Sequence, residues 1–218
     1  RTHLLDFAEA GHALALLSDA GTPLVSDPGF KLVRAALARD LAVRAIPGAS
    51  AALCALIQSG LPCHKFTFYG FIPRKPGAWD QMAEQLDRDT GTAILFEAAR
   101  NIGKTLERMA RRWPGRTAML ARELTKRNET CWHAELARLN ARWCEQGIAR
   151  GEITLVLGPI TPSNLPAADK ERSMAIAKIL ADAHTKNLSV RDRTKQLMDE
   201  CNLPRRDAYQ LALQSVQN

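Results

Sequence analysis

Short apolar runs alternate with amphipathic stretches through the first two-thirds of the chain. Residues 13–17 and 41–46 are apolar-rich runs of strand length, and helical periodicity follows each, near 30–38 and over 49–57. Residues 65–69 alternate and are rich in aromatic side chains, which predicts a third strand. A helix over 78–86, a strand over 92–97, a helix over 102–112, and strands over 116–121 and 152–157 complete the series. This alternation predicts an α/β fold with largely parallel pairing.

Residues 160–168, Ile-Thr-Pro-Ser-Asn-Leu-Pro-Ala-Ala, have two prolines and no periodicity, and read as a linker. Beyond it the pattern is helical throughout. One helix is expected over 170–184. A second starts at Ser189, a good N-cap with Asp192 three residues on. It stops before Asn202-Leu203-Pro204, and a third runs to about Gln214. Two short helices around so tight a turn resemble a helix-turn-helix, and a plain helical bundle fits the pattern equally well.

Composition narrows the class. The chain has 218 residues, 46% hydrophobic and 24% charged, the balance of a globular protein with a sizeable core. Its five cysteines are scattered without a CxxC pair, which suggests neither a zinc site nor a disulfide framework, and a reducing cytoplasm is the expected setting. Residues 45–63 carry no charge, but Pro47-Gly48 and Gln58-Ser59-Gly60 cut the stretch to about three helical turns, too short to span a membrane. The net charge of +7 is concentrated: residues 98–150 hold twelve Lys/Arg against five Asp/Glu. A polyanionic partner such as nucleic acid fits this segment, and so do solvated helix faces.

The most informative stretch is Ser18-Asp19-Ala20-Gly21-Thr22-Pro23-Leu24-Val25-Ser26-Asp27-Pro28-Gly29, between an expected strand and an expected helix. Loops at the carboxyl ends of strands form the ligand crevice of open α/β sheets. Ordinary connections there have two to six residues, so twelve residues rich in Gly, Pro, hydroxyls and carboxylates are not explained by packing. The second expected strand ends in Pro47-Gly48-Ala49-Ser50-Ala51, whose small residues leave a helix N-terminus open to a ligand.

These two loops in order resemble the tetrapyrrole methylase superfamily, and the resemblance is strongest to its branch acting on small-subunit ribosomal RNA. Four further features carry it: Tyr69-Gly70-Phe71-Ile72-Pro73-Arg74-Lys75, Phe96-Glu97-Ala98-Ala99-Arg100, Ala121-Arg122-Glu123-Leu124-Thr125-Lys126 with Glu129, and Gly151-Glu152. The branch has Tyr-Glu-Ser and a His-Arg pair where this chain has Phe96-Glu97-Ala98 and Ala99-Arg100. The family opens with a strand and a glycine-rich loop, whereas residues 1–11 look like the end of a later helix. The start of the first domain is therefore expected to be missing.

The resemblance implies two α/β domains, 1–64 and 65–159, with S-adenosylmethionine in the cleft between them. A linker, 160–168, and a helix-turn-helix-like tail, 169–218, follow. The matching cofactor positions are Gly21, Thr22, Pro23 and Val25, then Pro47, Gly48, Ser50 and Ala51, with Phe96 closing the pocket. The implied reaction is methyl transfer, without a metal, to the 2′-hydroxyl of a cytidine in 16S rRNA or the small ribosomal subunit. It is carried out by a cytoplasmic homodimer with no membrane association. Asp19, Glu97, Glu123 and Lys126 have the chemistry to handle the hydroxyl proton, and Glu123 with Lys126 is the preferred pair. The local alternative is that Arg122–Glu123 and Lys126–Glu129 are only ion pairs. Arg74, Lys75, Arg100, Arg122 and Arg127 are the expected RNA contacts, with Lys126 beside them. The competing readings are a tetrapyrrole C-methyltransferase of the same fold and a non-catalytic RNA-binding module.

Overall fold

The computed structural model describes residues 2–147, 150–161, 167–186, 188–201 and 203–217. Its centre is a five-stranded sheet in the order β1-β2-β5-β3-β4. The strands are β1 (Phe66–Phe71), β2 (Thr92–Ala98), β3 (Thr117–Arg122), β4 (Thr130–Glu135) and β5 (Glu152–Leu157). Only β1 and β2 run parallel; β2–β5, β5–β3 and β3–β4 are antiparallel. The expectation of largely parallel pairing is thus corrected, because β5 enters the middle of the sheet in the opposite direction. The hydrophobic pattern predicts neither β4 nor the helix after it, α6 (Leu136–Gln146).

Strand alternation decides the layers. Leu95, Leu120 and Leu155 face α4 (Pro76–Arg88), α5 (Ala99–Arg112) and α6 through Trp79, Leu86, Ile102, Leu106, Leu139 and Trp143. Their neighbours Ile94, Met119, Ala121 and Val156 face the other way. There α3 (Ala51–Ser59) lays Ala52, Ala55 and Leu56 on the sheet. Ser50 caps α3 by accepting the Leu53 N–H, and Gly60 ends it at φ 66°. The uncharged stretch 45–63 is therefore a loop and a nine-residue helix. Among the described residues no helix is long and apolar enough to cross a membrane.

Before α3 lie α1 (Thr2–Glu9) and α2 (Phe30–Leu37). The strands expected over 13–17 and 41–46 are not formed. Among the described residues no backbone hydrogen bond reaches residues 13–17 or 42–46. A strand exists only as one side of a ladder, so an apolar run without a pairing partner stays irregular and exposed: Leu17 is 86% and Ile46 84% exposed.

Of the expected linker, residues 162–166 lie outside the described residues, as does Asn202 of the tight turn. The tail forms α7 (Ala167–Thr185), α8 (Val190–Cys201) and α9 (Arg205–Gln217) around Ile179, Leu197, Cys201, Ala208 and Ala212. Ser189 caps α8 as expected, accepting the Asp192 N–H. Arg193 of α8, only 3% exposed, joins the three helices by donating to Ala183 O of α7 at 3.5 Å and Ser215 Oγ of α9 at 2.9 Å, and it also donates to Leu188 O at 2.9 Å.

Candidate functional site

The two glycine-proline loops, far apart in the chain, meet. The Thr22 hydroxyl donates to the Ala49 carbonyl at 2.8 Å, and a Cβ placed on Gly21 would lie 3.9 Å from the same oxygen. The first loop is strained. Leu24 and Ser26 sit at φ 71° and 60° without being glycines, a conformation that persists only when the surroundings impose it. Gly29, at φ 130°, gives the space a side chain would take from Leu16 and Leu24. Gly48 differs: a Cβ there would meet only Ile46 O, at 4.0 Å, so it borders open space. Pro23 and Val25 lie in the first loop, Pro47 and Ala51 in the second, with Ser50 committed to the α3 cap.

The first loop reaches the sheet at β1, where a Cβ on Gly70 would contact Ser26 Oγ at 3.6 Å. Gly70 itself stands at φ 69° in a bulge, paired with Leu95, and the next pair is Phe71 with Phe96. Phe96 is half-buried on the α3 side of the sheet. Its ring meets Phe68 and Phe71 edge-on at 4.9 and 5.6 Å. The loops and an aromatic wall therefore border one region. That supplies backbone polar groups freed by Gly and Pro beside an apolar surface, a setting that fits an adenosine-bearing sulfonium.

The turn after β3 holds the second group. Glu123 Oε1 accepts from the Glu152 N–H at 2.8 Å and from Lys126 Nζ at 3.2 Å, and Lys126 Nζ also meets Glu152 Oε2 at 2.9 Å. The Glu152 N–H first, then Lys126 and Arg122, hold the Glu123 carboxyl below the usual glutamate range. The Glu152 carboxylate first, then Glu123, hold the Lys126 ammonium above its own. Among the described residues Glu123 Oε2 has no partner, which leaves one acceptor oxygen unused on a side chain that is 20% exposed. Glu97 is engaged elsewhere. Buried to 7% exposure, it accepts from the Ala98 N–H, Asn101 and Thr105 at the start of α5. Asp19 stands exposed on the first loop.

The cations separate into two populations. Arg74 and Lys75 follow β1, Arg100 follows β2, Arg122, Lys126 and Arg127 follow β3, and Arg150 precedes β5. The strand directions bring all of these to one end of the sheet. Arg100 and Arg150 line a depression there with Ala98, Ala99 and Gly151, and Arg122 Nε donates to the Arg150 carbonyl at 2.9 Å. Among the described residues Arg74, Lys75, Arg100, Arg127 and Arg150 have no ion pair. The helix-face arginines do: Arg108 meets Asp80 and stacks on Trp79, Arg111 meets Glu107, and Arg112 meets Asp87. Arg116 is fully buried at the opposite end, donating to Gly158 O, and burial pulls its guanidinium down to about 10. Several arginines of the +7 segment thus serve the fold, while the site end gathers a cluster of cations without ion pairs among the described residues. Arg150 and Gln58 do not stand out from the sequence as site residues, and Gly151-Glu152 does so only through the resemblance, because their roles depend on strand register.

The profile of Tetrapyrrole (Corrin/Porphyrin) Methylases matches residues 2–140. The chain belongs to this family. It is 41% identical over 172 residues to the ribosomal RNA small subunit methyltransferase I of Micromonospora olivasterospora, a match covering 79% of this chain and 54% of that one. It is 38% identical over 213 residues to the protein of the same name from Synechocystis sp., covering 97% and 75%. The matched stretch is thus about half the length of the first of these relatives and three-quarters of the second. The solved structure of the methyltransferase CobJ shares the fold, with a TM-score of 0.53, 22% identity, and coverage of 72% of this chain and 69% of that one.

Proposed function

We propose that this tetrapyrrole methylase transfers a methyl group from S-adenosylmethionine to the 2′-hydroxyl of a cytidine in 16S rRNA within the small ribosomal subunit. One observation carries the reading. The tied Gly21–Thr22 and Gly48–Ala49 loops reach β1 at Gly70, beside the strand that carries Phe96, while one end of the same sheet carries Arg74, Lys75, Arg100, Arg127 and Arg150 without ion pairs among the described residues. A small-molecule pocket alone does not call for so many unpaired cations, and an RNA backbone does. The names of the Micromonospora and Synechocystis relatives support small-subunit ribosomal RNA as the substrate class.

The bound sulfonium supplies an activated methyl group, so the protein needs to place the hydroxyl oxygen and remove its proton. Gly21, Thr22, Pro23, Val25, Pro47, Gly48, Ser50 and Ala51 form the donor cradle, and Phe96 is its apolar wall. Glu123 Oε2 is the acceptor for the hydroxyl proton. Lys126 stays an ammonium between two carboxylates, fixing Glu123 and presenting positive charge to the phosphate backbone. Arg74, Lys75, Arg100, Arg122, Arg127 and Arg150 bind that backbone.

Residues 1–64 and 65–159 are read as the two domains of this cytoplasmic enzyme, with 169–218 as an accessory helical unit. The exposed Leu17, Phe30 and Ile46 support a homodimer.

The test is incubation of the protein with methyl-labelled S-adenosylmethionine and small subunits lacking the modification, followed by nuclease digestion and mass mapping. A single 2′-O-methylcytidine is the expected product. Label on a base, or none on RNA while a porphyrin precursor is methylated, overturns the reading.

A further inference from the structure

The turn that carries Glu123 and Lys126 is not held by its own backbone alone. Glu123 and Thr125 both adopt left-handed conformations, at φ 52° and 63°. Non-glycine residues there cost free energy that an outside contact has to offset. For Glu123 the contact is β5, through its N–H to Glu152 O at 3.0 Å. For Thr125 it is Glu129: the Thr125 N–H donates to Glu129 Oε2 at 2.6 Å. The other oxygen of that carboxylate, Oε1, accepts from Gln58 Nε2 at 3.3 Å. Gln58 lies in the last turn of α3, the helix whose first turn emerges from the Gly48 loop. Gln58 is itself fixed on β4. Its Oε1 accepts from Cys131 Sγ at 3.0 Å, and its carbonyl oxygen lies 2.8 Å from His133 Nε2.

One carboxylate therefore bridges the strained turn and the helix carrying the donor loop. We infer that Glu129 is a positioning residue that sets the height of the Glu123–Lys126 turn against α3, and so aligns the hydroxyl acceptor with the donor cradle. The inference rests on the rRNA methylation reading above. Its geometry predicts a particular pattern of failure: the cradle and the cationic surface survive without Glu129, whereas the alignment between them does not. Misplacement of reacting groups by about 1 Å costs on the order of 100-fold in rate.

The experiment compares Glu129→Ala, Gln58→Ala, the double variant and Glu129→Gln with the wild type. It measures single-turnover methylation of small subunits, S-adenosylhomocysteine affinity, subunit affinity, and amide exchange at Thr125. The expected result is a loss of about 10- to 100-fold in kcat for each alanine variant, with both affinities within about twofold of wild type. The double variant is expected to be no worse than the poorer single one, since both cut the same bridge. Glu129→Gln keeps an acceptor for Thr125 but turns an amide NH2, which cannot accept, toward Gln58 Nε2, so it is expected to lose rate as Gln58→Ala does.

Unchanged kcat in Glu129→Ala overturns the inference. So does a loss matched by equal losses of cofactor affinity and melting temperature, or single losses that multiply in the double variant. If the wild type methylates no small subunit, the rRNA reading falls, and Thr125 exchange decides the bridge alone. Faster exchange at Thr125 in both Glu129→Ala and Gln58→Ala supports it, and unaltered exchange in Gln58→Ala refutes it.

Discussion

Thr22 and Ala49 are joined by a 2.8 Å hydrogen bond from the Thr22 hydroxyl to the Ala49 carbonyl, across 27 residues of chain. This bond ties together two loops that the sequence presents separately. It also turns the first loop, with its left-handed Leu24 and Ser26, toward the N-terminus of α3.

Removing that bond should loosen the cradle without unfolding the protein. Thr22→Val keeps the shape and deletes the donor. The expected outcome is S-adenosylhomocysteine binding weaker by about 3- to 10-fold, the value of one net hydrogen bond, with Thr22→Ser close to wild type. Titration calorimetry distinguishes this from the alternative, in which both variants bind alike.

The glycines should respond differently. Gly48 borders open space, so Gly48→Val is expected to fold normally and lose cofactor binding, because the side chain fills the cradle. Gly29 has φ 130° and would place a Cβ 2.6 Å from Leu16 Cδ2. Gly29→Ala should therefore destabilise the protein by about 1–3 kcal/mol. Thermal melts paired with calorimetry check both, and a destabilised Gly48→Val would contradict the open space seen at that position.

Salt dependence should test the proposed RNA surface. Replacing Arg100, Arg127 and Arg150 by Gln is expected to weaken small-subunit binding and to lower its log–log salt slope by about 0.7–0.9 for each phosphate no longer neutralised. Replacing Arg108 and Arg111, which are paired with Asp80 and Glu107, should change the slope little. Filter binding across one salt series measures both sets. A larger effect from the second set would move the interface onto the α5 face.

The Glu123 carboxyl should leave a signature in acid. Its folded-state value is lowered, so the unfolded chain binds the proton first as pH falls. The stabilisation is complete above the ordinary glutamate value of about 4.3 and is lost as pH drops through the lowered one. Glu123→Gln should then show a shallower fall in unfolding free energy on the acid side of about pH 4.3. Urea melts through that range provide the measurement, and parallel curves would mean the carboxylate is not engaged by Glu152 and Lys126.

Residues whose signal is local are legible in the sequence. The Ser189 cap, the Gly60 end of α3 and the apolar runs of β2 and β3 each depend on near neighbours in the chain, and each lies close to where the pattern puts it. β4 escapes the pattern because Thr130–Glu135 mixes polar and apolar residues as an edge strand does, with only Trp132 fully buried. Residues 13–17 mislead for the opposite reason: their apolarity is real, but no described segment pairs with them. Arg116 and Arg100 look alike in sequence, yet one is buried under Gly158 and the other is exposed beside Gly151.

Most of the helices, the Ser189 cap, the apolar runs of β2, β3 and β5, and the two glycine-proline loops were legible in the chain, because local sterics and side-chain period encode them. Tertiary structure alone decided that β5 runs antiparallel between β2 and β3. It also decided that Thr22 finds Ala49, that Lys126 lies between Glu123 and Glu152, and that Glu129 joins Thr125 to Gln58. The physical reason is common to all four. Hydrogen bonds and ion pairs have no preferred partner in sequence, and the sheet chooses the partner when packing its two apolar faces fixes its register.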